Sequence, residues 1–155
     1  MSDFLKAFHY VIGLEGGYSN NSEDPGGETK FGISKRAYPD LDIKNLTLQQ
    51  AQGIYYEDYW QHIHGDELTW PLNCLVFDSA VNQGVHQAVI MMQQSLQTNA
   101  DGLIGPQTLS LANKATNWHL ARFMYLRQSA YRKLPIYSTF GEGWEMRLYE
   151  ILLKV

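Results

Sequence analysis

The chain has 155 residues, of which 45% are hydrophobic and 13% aromatic, and its formal charge is −4. That length can bury a sizeable core within one domain, and the negative charge argues against nucleic acid as the main partner. A single cysteine, Cys74, excludes an internal disulfide, and its apolar surroundings predict a structural thiol. The sequence contains no run of about 20 apolar residues, so membrane insertion is not predicted. Because the first residues show no signal-peptide pattern, we expect synthesis in the cytoplasm.

The first predicted element is an amphipathic helix over residues 3–15. Phe4, Phe8 and Val11 recur at helical spacing, and a step of about 100° per residue places Glu15 on the same apolar face. The two glycines that follow are typical of a helix end. Apolar neighbours and the negative end of the helix dipole both raise the pKa of a carboxyl group, as a general acid requires. The alternative is a glutamate that only fills the last turn and reaches water.

A turn-rich loop with a second carboxylate, Asp24, follows this helix, and a short strand is expected over 29–33. The segment predicts a small hairpin or loop packed beside the helix end. Two carboxyl groups placed in this way suit cleavage of a sugar–sugar bond. Asp24 can activate a water or stabilise positive charge, and Thr29 can hold a water or a carboxylate. The alternatives are an Asx-turn residue before proline for Asp24 and an ordinary strand residue for Thr29.

The remaining elements are predicted to be mainly helical. They cover residues 33–38, 48–60 with Thr47 as N-cap, 71–82 with Gly84 at the end, 85–97, 118–133 and 143–153, and a further helix is expected to begin at Gly105-Pro106. The expected fold class is therefore mainly α, with a small hairpin or loop after the first helix.

Five motifs occur in order along the chain. They are Glu-Gly-Gly-Tyr at 15–18, Asp-Pro-Gly-Gly-x-Thr-x-x-Gly-Ile at 24–33, Tyr-Pro-Asp-Leu-Asp-Ile at 38–43, Tyr-Tyr-x-Asp-Tyr-Trp at 55–60 and Phe-Asp-x-Ala-Val-Asn-x-Gly at 77–84. This series resembles the glycoside hydrolase family 108 N-acetylmuramidases. The resemblance implies a lysozyme-like helical fold, peptidoglycan glycan strands as substrate, and an essential glutamate at Glu15. The order Glu15, Asp24, Thr29 is also similar to phage lysozymes, although four residues rather than the usual five separate Asp24 from Thr29.

Three further residues are candidates for substrate binding. Tyr59 belongs to a group of aromatic residues at one helix end, where one or two rings can line a sugar groove while the others face the core. Asn82 can hydrogen-bond an N-acetyl group or cap its helix, and the resemblance favours a place in the cleft. Tyr18, beside the predicted acid, completes the candidate set.

The C-terminal half contains Asp-Gly-x-x-Gly-Pro-x-Thr at 101–108, which resembles a run in small peptidoglycan-binding modules. The alternative is a helix–turn–helix connection whose residues serve only the turn. We expect one lysozyme-like domain over 1–155, with a catalytic half at 1–84 and a helical half resembling a peptidoglycan-binding region at 85–155.

Metal and cofactor sites are not expected. Asn99 and Asp101 offer only an incomplete calcium series, and the group of residues at 62–67 has no standard zinc or iron spacing. Acid–base chemistry needs no cofactor.

These patterns favour a peptidoglycan hydrolase that cleaves the β-1,4 bond between N-acetylmuramic acid and N-acetylglucosamine. The alternatives are a lytic transglycosylase and a non-catalytic protein that binds peptidoglycan or assists secretion. The similarity of the Glu15–Asp24 spacing to that of phage lysozymes implies inversion, for which the carboxyl gap is about 6.5–9.5 Å rather than the about 5–5.5 Å of retaining enzymes. The enzyme would act on the wall after release or export through a holin or a secretion machine. A phage endolysin, a secretion helper and an interbacterial effector all fit these patterns.

Overall fold

The computed structural model describes residues 2–13, 17–20 and 26–155. The two predicted catalytic carboxylates, Glu15 and Asp24, lie outside the described residues. The helices are α1 (Asp3–Ile12), α2 (Leu48–Tyr55), α3 (Leu72–Gln83), α4 (Val85–Ser95), α5 (Pro106–Ala112), α6 (Asn117–Arg132) and α7 (Tyr137–Lys154). Two short strands, β1 (Thr29–Lys30) and β2 (Ile33–Ser34), pair antiparallel after the first helix. The prediction of a mainly α fold with a small hairpin is confirmed.

Helix α1 begins where the sequence predicts. Ser2 caps it, because its hydroxyl accepts a hydrogen bond from the Leu5 amide at 3.4 Å. The apolar face that includes Phe4, Phe8 and Val11 is buried. The last helical residue is Ile12, followed by Gly13 as C-cap; the predicted extension to residue 15 falls outside the described residues.

The hairpin differs from the sequence prediction. Phe31 and Gly32 both have positive φ, 51° and 74°, which is the backbone of a tight two-residue connection. The chain therefore reverses between Lys30 and Ile33, which face each other in the register of the hairpin. The prediction of a single strand over 29–33 was wrong for this reason, and so was the prediction of a helix over 33–38, since β2 and a series of turns occupy that stretch.

Helix α3 is the centre of the core. Every residue from Leu72 to Ala80 is buried, because α1, α4, α7 and the end of α2 pack around it. Phe77 of α3 lies edge-on to Trp60 at a centroid distance of 5.5 Å and to Phe4 of α1 at 6.1 Å. This aromatic cluster fixes α1 against the central helix.

The predicted helix over 48–60 is present, capped by Thr47 as expected. Its last turn, Tyr56–Trp60, is π-helical, and the Gln61 amide donates to the Tyr56 carbonyl at 2.9 Å.

The C-terminal helix is longer than predicted. It begins at Tyr137 rather than at residue 143, although its first two turns contain two glycines. Ring stacking accounts for the difference, because Trp144 stacks on Tyr131 of α6 at 5.1 Å and on Phe140 at 6.0 Å. These contacts outweigh the low helix propensity of glycine. None of the helices in the described ranges is long and apolar enough to cross a bilayer.

Candidate functional site

The segment at 17–20 returns from α1 and pairs with the hairpin. The backbones of Ser19 and Thr29 exchange two hydrogen bonds, of 2.8 and 2.9 Å. This bridge joins the segment at 17–20 to the first strand of the hairpin. The predicted small hairpin after the first helix is therefore present.

The predicted residues Tyr18 and Thr29 lie at this bridge. The Tyr18 hydroxyl donates to Glu28 Oε1 at 2.9 Å, and this hydrogen bond raises the pKa of Tyr18. The Thr29 hydroxyl donates a longer bond, 3.4 Å, to the Gly27 carbonyl. Glu28, which directly precedes Thr29, is a half-buried carboxylate paired with a predicted substrate-binding tyrosine.

Tyr59 packs against Tyr55, a residue that contacts the hairpin. Its ring stacks on Tyr55 at a centroid distance of 5.5 Å, and burial raises its pKa. The hydroxyl of Tyr55 donates to the Phe31 carbonyl in the hairpin turn at 3.0 Å. The aromatic residues at the end of α2 thus anchor the hairpin, and Tyr59, like Tyr56, is half-buried and keeps part of its side chain at the surface.

An arginine from the far end of the chain reaches the end of α1. Arg147 of α7 donates from Nη2 to the Val11 carbonyl at 3.4 Å, four residues before Glu15 in the sequence. A guanidinium at this point opposes the negative end of the helix dipole. Sequence analysis considered only the apolar neighbours and the dipole of this helix, so it missed Arg147.

Asp78 of α3 holds this arginine in place. Its Oδ1 accepts two hydrogen bonds from Arg147, at 3.2 and 3.0 Å, and its Oδ2 accepts one from Arg127 of α6 at 2.6 Å. The side chains of Asp78 and Arg127 are 1% and 0% exposed. The sequence contains one indication of this network, because Asp78 is an acidic residue within the apolar run of α3. A carboxylate in such a run predicts a buried partner of opposite charge.

Asn82 is joined to the same network. Its amide donates to the Asp78 carbonyl at 2.7 Å and to Asp78 Oδ1 at 3.3 Å. Asn82 is exposed at the end of α3 and lines a groove between α4 and α6. The structure therefore brings Tyr18 and Thr29 together at the hairpin, and it joins Asn82 through Asp78 to Arg147, which contacts the end of α1.

The run at 101–108 forms a connection held by α4. Gln93 donates to Asp101 Oδ1 at 2.9 Å and accepts from the Gly102 amide at 2.8 Å. Hydrogen bonds from the Leu103 amide and Gln93 lower the pKa of Asp101. These contacts favour the turn role that sequence analysis left open for this run. Within the described ranges, no group of three or more His, Cys, Asp or Glu side chains is placed to hold a metal ion.

Comparisons with known proteins agree with the motifs. A family model described as glycosyl hydrolase 108 matches residues 8–84. Among solved structures, SagA from Brucella abortus is 32% identical to this chain, with a TM-score of 0.83, over 96% of this chain and 90% of SagA. No curated protein sequence matches the chain.

Proposed function

The chain belongs to the glycosyl hydrolase 108 family and is a glycoside hydrolase, and from this we propose that it is an N-acetylmuramidase. The family supports peptidoglycan as the substrate and a lysozyme-like helical fold. The proposed reaction is hydrolysis of the β-1,4 bond between N-acetylmuramic acid and N-acetylglucosamine. The observation that carries the proposal is the family match over residues 8–84, which spans Glu15, Asp24 and all the candidate binding residues.

Glu15 acts as the general acid and protonates the glycosidic oxygen as the bond breaks. Asp24 orients the attacking water or supports the oxocarbenium-like transition state, with Thr29 as its partner on the hairpin. The hairpin supports the second role, because Thr29, the proposed partner of Asp24, is held by its backbone pairing with Ser19.

Tyr18, Tyr59 and Asn82 bind the glycan strand in this proposal. Tyr18 and Tyr59 offer partly exposed rings for the apolar faces of sugars. Asn82 offers an exposed amide for an N-acetyl group. We propose that the enzyme reaches the wall after release or export through a holin or a secretion machine.

The first prediction is that Glu15→Gln abolishes cleavage and leaves the fold intact. The amide keeps the shape of the side chain but cannot donate the catalytic proton, so the rate falls by at least about 10²-fold. The measurement is clearance of a peptidoglycan suspension by purified protein, with circular dichroism to compare folding.

The matched control is Glu150→Gln, which makes the same chemical change at an exposed position of α7. Its rate should stay within about twofold of the wild type, as is usual for surface substitutions. A Glu15→Gln protein that retains more than half of the wild-type rate would show that the acid has been assigned to the wrong residue.

The products distinguish the proposed hydrolase from a lytic transglycosylase. Hydrolysis leaves reducing ends, whereas attack by the muramic 6-hydroxyl leaves 1,6-anhydro ends, and mass spectrometry separates the two. NMR of the newly formed anomer tests the proposed inversion.

A further inference from the structure

The charge of this protein is unevenly distributed along the chain. The whole chain has 12 basic and 16 acidic residues, yet the stretch at 79–141 has five lysines and arginines and a single acidic residue, Asp101. Helices α4 and α6 lie within this stretch and contain no acidic residue. The side chains of α4 and α6 therefore carry no negative charge that would repel a ligand with carboxylate groups.

A groove of about 470 Å³ runs between α4 and α6. The two helices are antiparallel here, because Arg122 donates to the Gln94 carbonyl at one end and Gln83 donates to the Arg127 carbonyl at the other. Four amide side chains line the groove: Asn82, Gln83, Gln87 and Gln94. Its aliphatic lining is Met91, Leu126 and Leu134, and Lys133 lies at the end nearest to Asn82.

Apart from Asn82, which can also reach an N-acetyl group, this lining matches a peptide better than a sugar ring. Amide side chains can pair with the N–H and C=O groups of a peptide, and aliphatic side chains can cover its small apolar side chains. The one aromatic residue in the lining, Tyr131, is 5% exposed and offers no open ring face for a sugar. The side chains of Gln87 and Lys133 make no hydrogen bond to any described residue, so they can bind a ligand without losing a partner.

We infer that this groove binds the peptide stem of peptidoglycan, with Lys133 pairing with a stem carboxylate. The inference rests on the proposed function, which supplies peptidoglycan as the substrate. The inference goes beyond the proposed function because it assigns part of the substrate to a site on the C-terminal helices. Asn82 provides the connection, because it lines the groove and is joined through Asp78 and Arg147 to the end of α1.

The test compares two substrates: intact peptidoglycan, and glycan strands from which the stem peptides have been removed enzymatically. Lys133→Gln removes the charge and keeps a long polar side chain. It should lower the ratio of the rate on intact peptidoglycan to the rate on peptide-free strands by about fivefold, the upper end of what one exposed ion pair contributes. Lys114→Gln is the matched control, since Lys114 is also an exposed lysine just beyond a helix end, that of α5, and should leave the ratio unchanged.

Binding provides a readout that does not require activity. N-acetylmuramoyl peptide with free carboxylates should bind the full chain more tightly than N-acetylmuramic acid without the peptide, and Lys133→Gln should reduce this difference by the same factor. Equal binding of the two probes, or a rate ratio unchanged by Lys133→Gln, would overturn the inference. A wild-type protein that binds the peptide probe but cleaves neither substrate would contradict the proposed function and leave the groove assignment standing.

Discussion

Glu28 and Asp24 compete for the second catalytic role, and substitution of each can separate them. Glu28 is already paired with the Tyr18 hydroxyl, which gives it a local structural partner. We therefore predict that Asp24→Asn slows glycan cleavage strongly, though less than Glu15→Gln, while Glu28→Gln costs less than about tenfold. Initial rates on the same peptidoglycan suspension give the comparison.

Tyr18→Phe is the matched control for this assignment, because it removes the bond to Glu28 and keeps the ring. Its effect should resemble that of Glu28→Gln. A silent Asp24→Asn together with a severe Glu28→Gln would transfer the second catalytic role to Glu28.

Cys74 illustrates how burial governs the reactivity of a single group. The thiol is fully buried in α3, and desolvation raises its pKa to about 12. The thiolate is the reactive form, so we predict that iodoacetamide fails to modify the native protein at pH 8. Mass spectrometry should show complete modification once the protein is unfolded in urea. Rapid labelling of the native protein would contradict the structural role predicted for this residue.

Substitution of alanine for two glycines should change the stability of the protein in opposite directions, because the two glycines lie in different kinds of element. Gly53 lies within α2 with open space around it, so Gly53→Ala should stabilise the protein by about 0.5–1 kcal/mol. Gly102 has a φ of 79° in the connection before α5, and a Cβ there would overlap the His86 ring. The left-handed backbone alone should make Gly102→Ala destabilising by about 1–2 kcal/mol.

Urea denaturation of the two variants measures this difference in sign. If both alanines stabilise the protein, the connection at 101–105 has more conformational freedom than its hydrogen bonds to Gln93 indicate. If both destabilise it, the exposed middle of α2 is under a constraint that its surroundings do not show.

Local sequence signals were insufficient to predict the turn of the hairpin and the start of α7. The dipeptide Phe31-Gly32 is a weak turn signal, because phenylalanine rarely adopts positive φ. The Tyr55 hydroxyl, 24 residues away, stabilises this turn by its bond to the Phe31 carbonyl. The start of α7 at Tyr137, rather than at residue 143, likewise depends on the ring of Tyr131 in α6. In both cases a distant contact overrides the local preference of the chain.

Asp78 connects four helices and should dominate stability. It binds Arg127 of α6 and Arg147 of α7, and Arg147 also contacts α1. Asp78→Asn leaves the fully buried Arg127 without its counter-charge, so we predict a loss of about 3–5 kcal/mol in the free energy of unfolding. Urea denaturation at neutral pH is the measurement.

Glu145→Gln is the control for this prediction, because it weakens an ion pair whose arginine, Arg132, is 55% exposed. Solvent screens that pair, so Glu145→Gln should lower the free energy of unfolding far less than Asp78→Asn does. Equal effects of the two substitutions would show that water reaches the Asp78 network.

Much of this molecule follows from short-range patterns. Helical periodicity predicted α1, the α2 region, α3, α4 and α6, since apolar spacing along a few turns reflects which face is buried. The ordered motifs, beginning with that at Glu15, led to the family, and the family match agrees with them. The catalytic roles of Glu15 and Asp24 remain predictions from the sequence.

The contacts between distant parts of the chain became visible only in three dimensions. Val11 and Arg147 are 136 residues apart, and no periodicity along the sequence relates them. The same holds for the pairing of Asp78 with Arg127 and for the groove between α4 and α6, whose walls are separate helices. Local patterns encode which face of an element is buried, whereas the partner that buries it depends on how all the helices pack together.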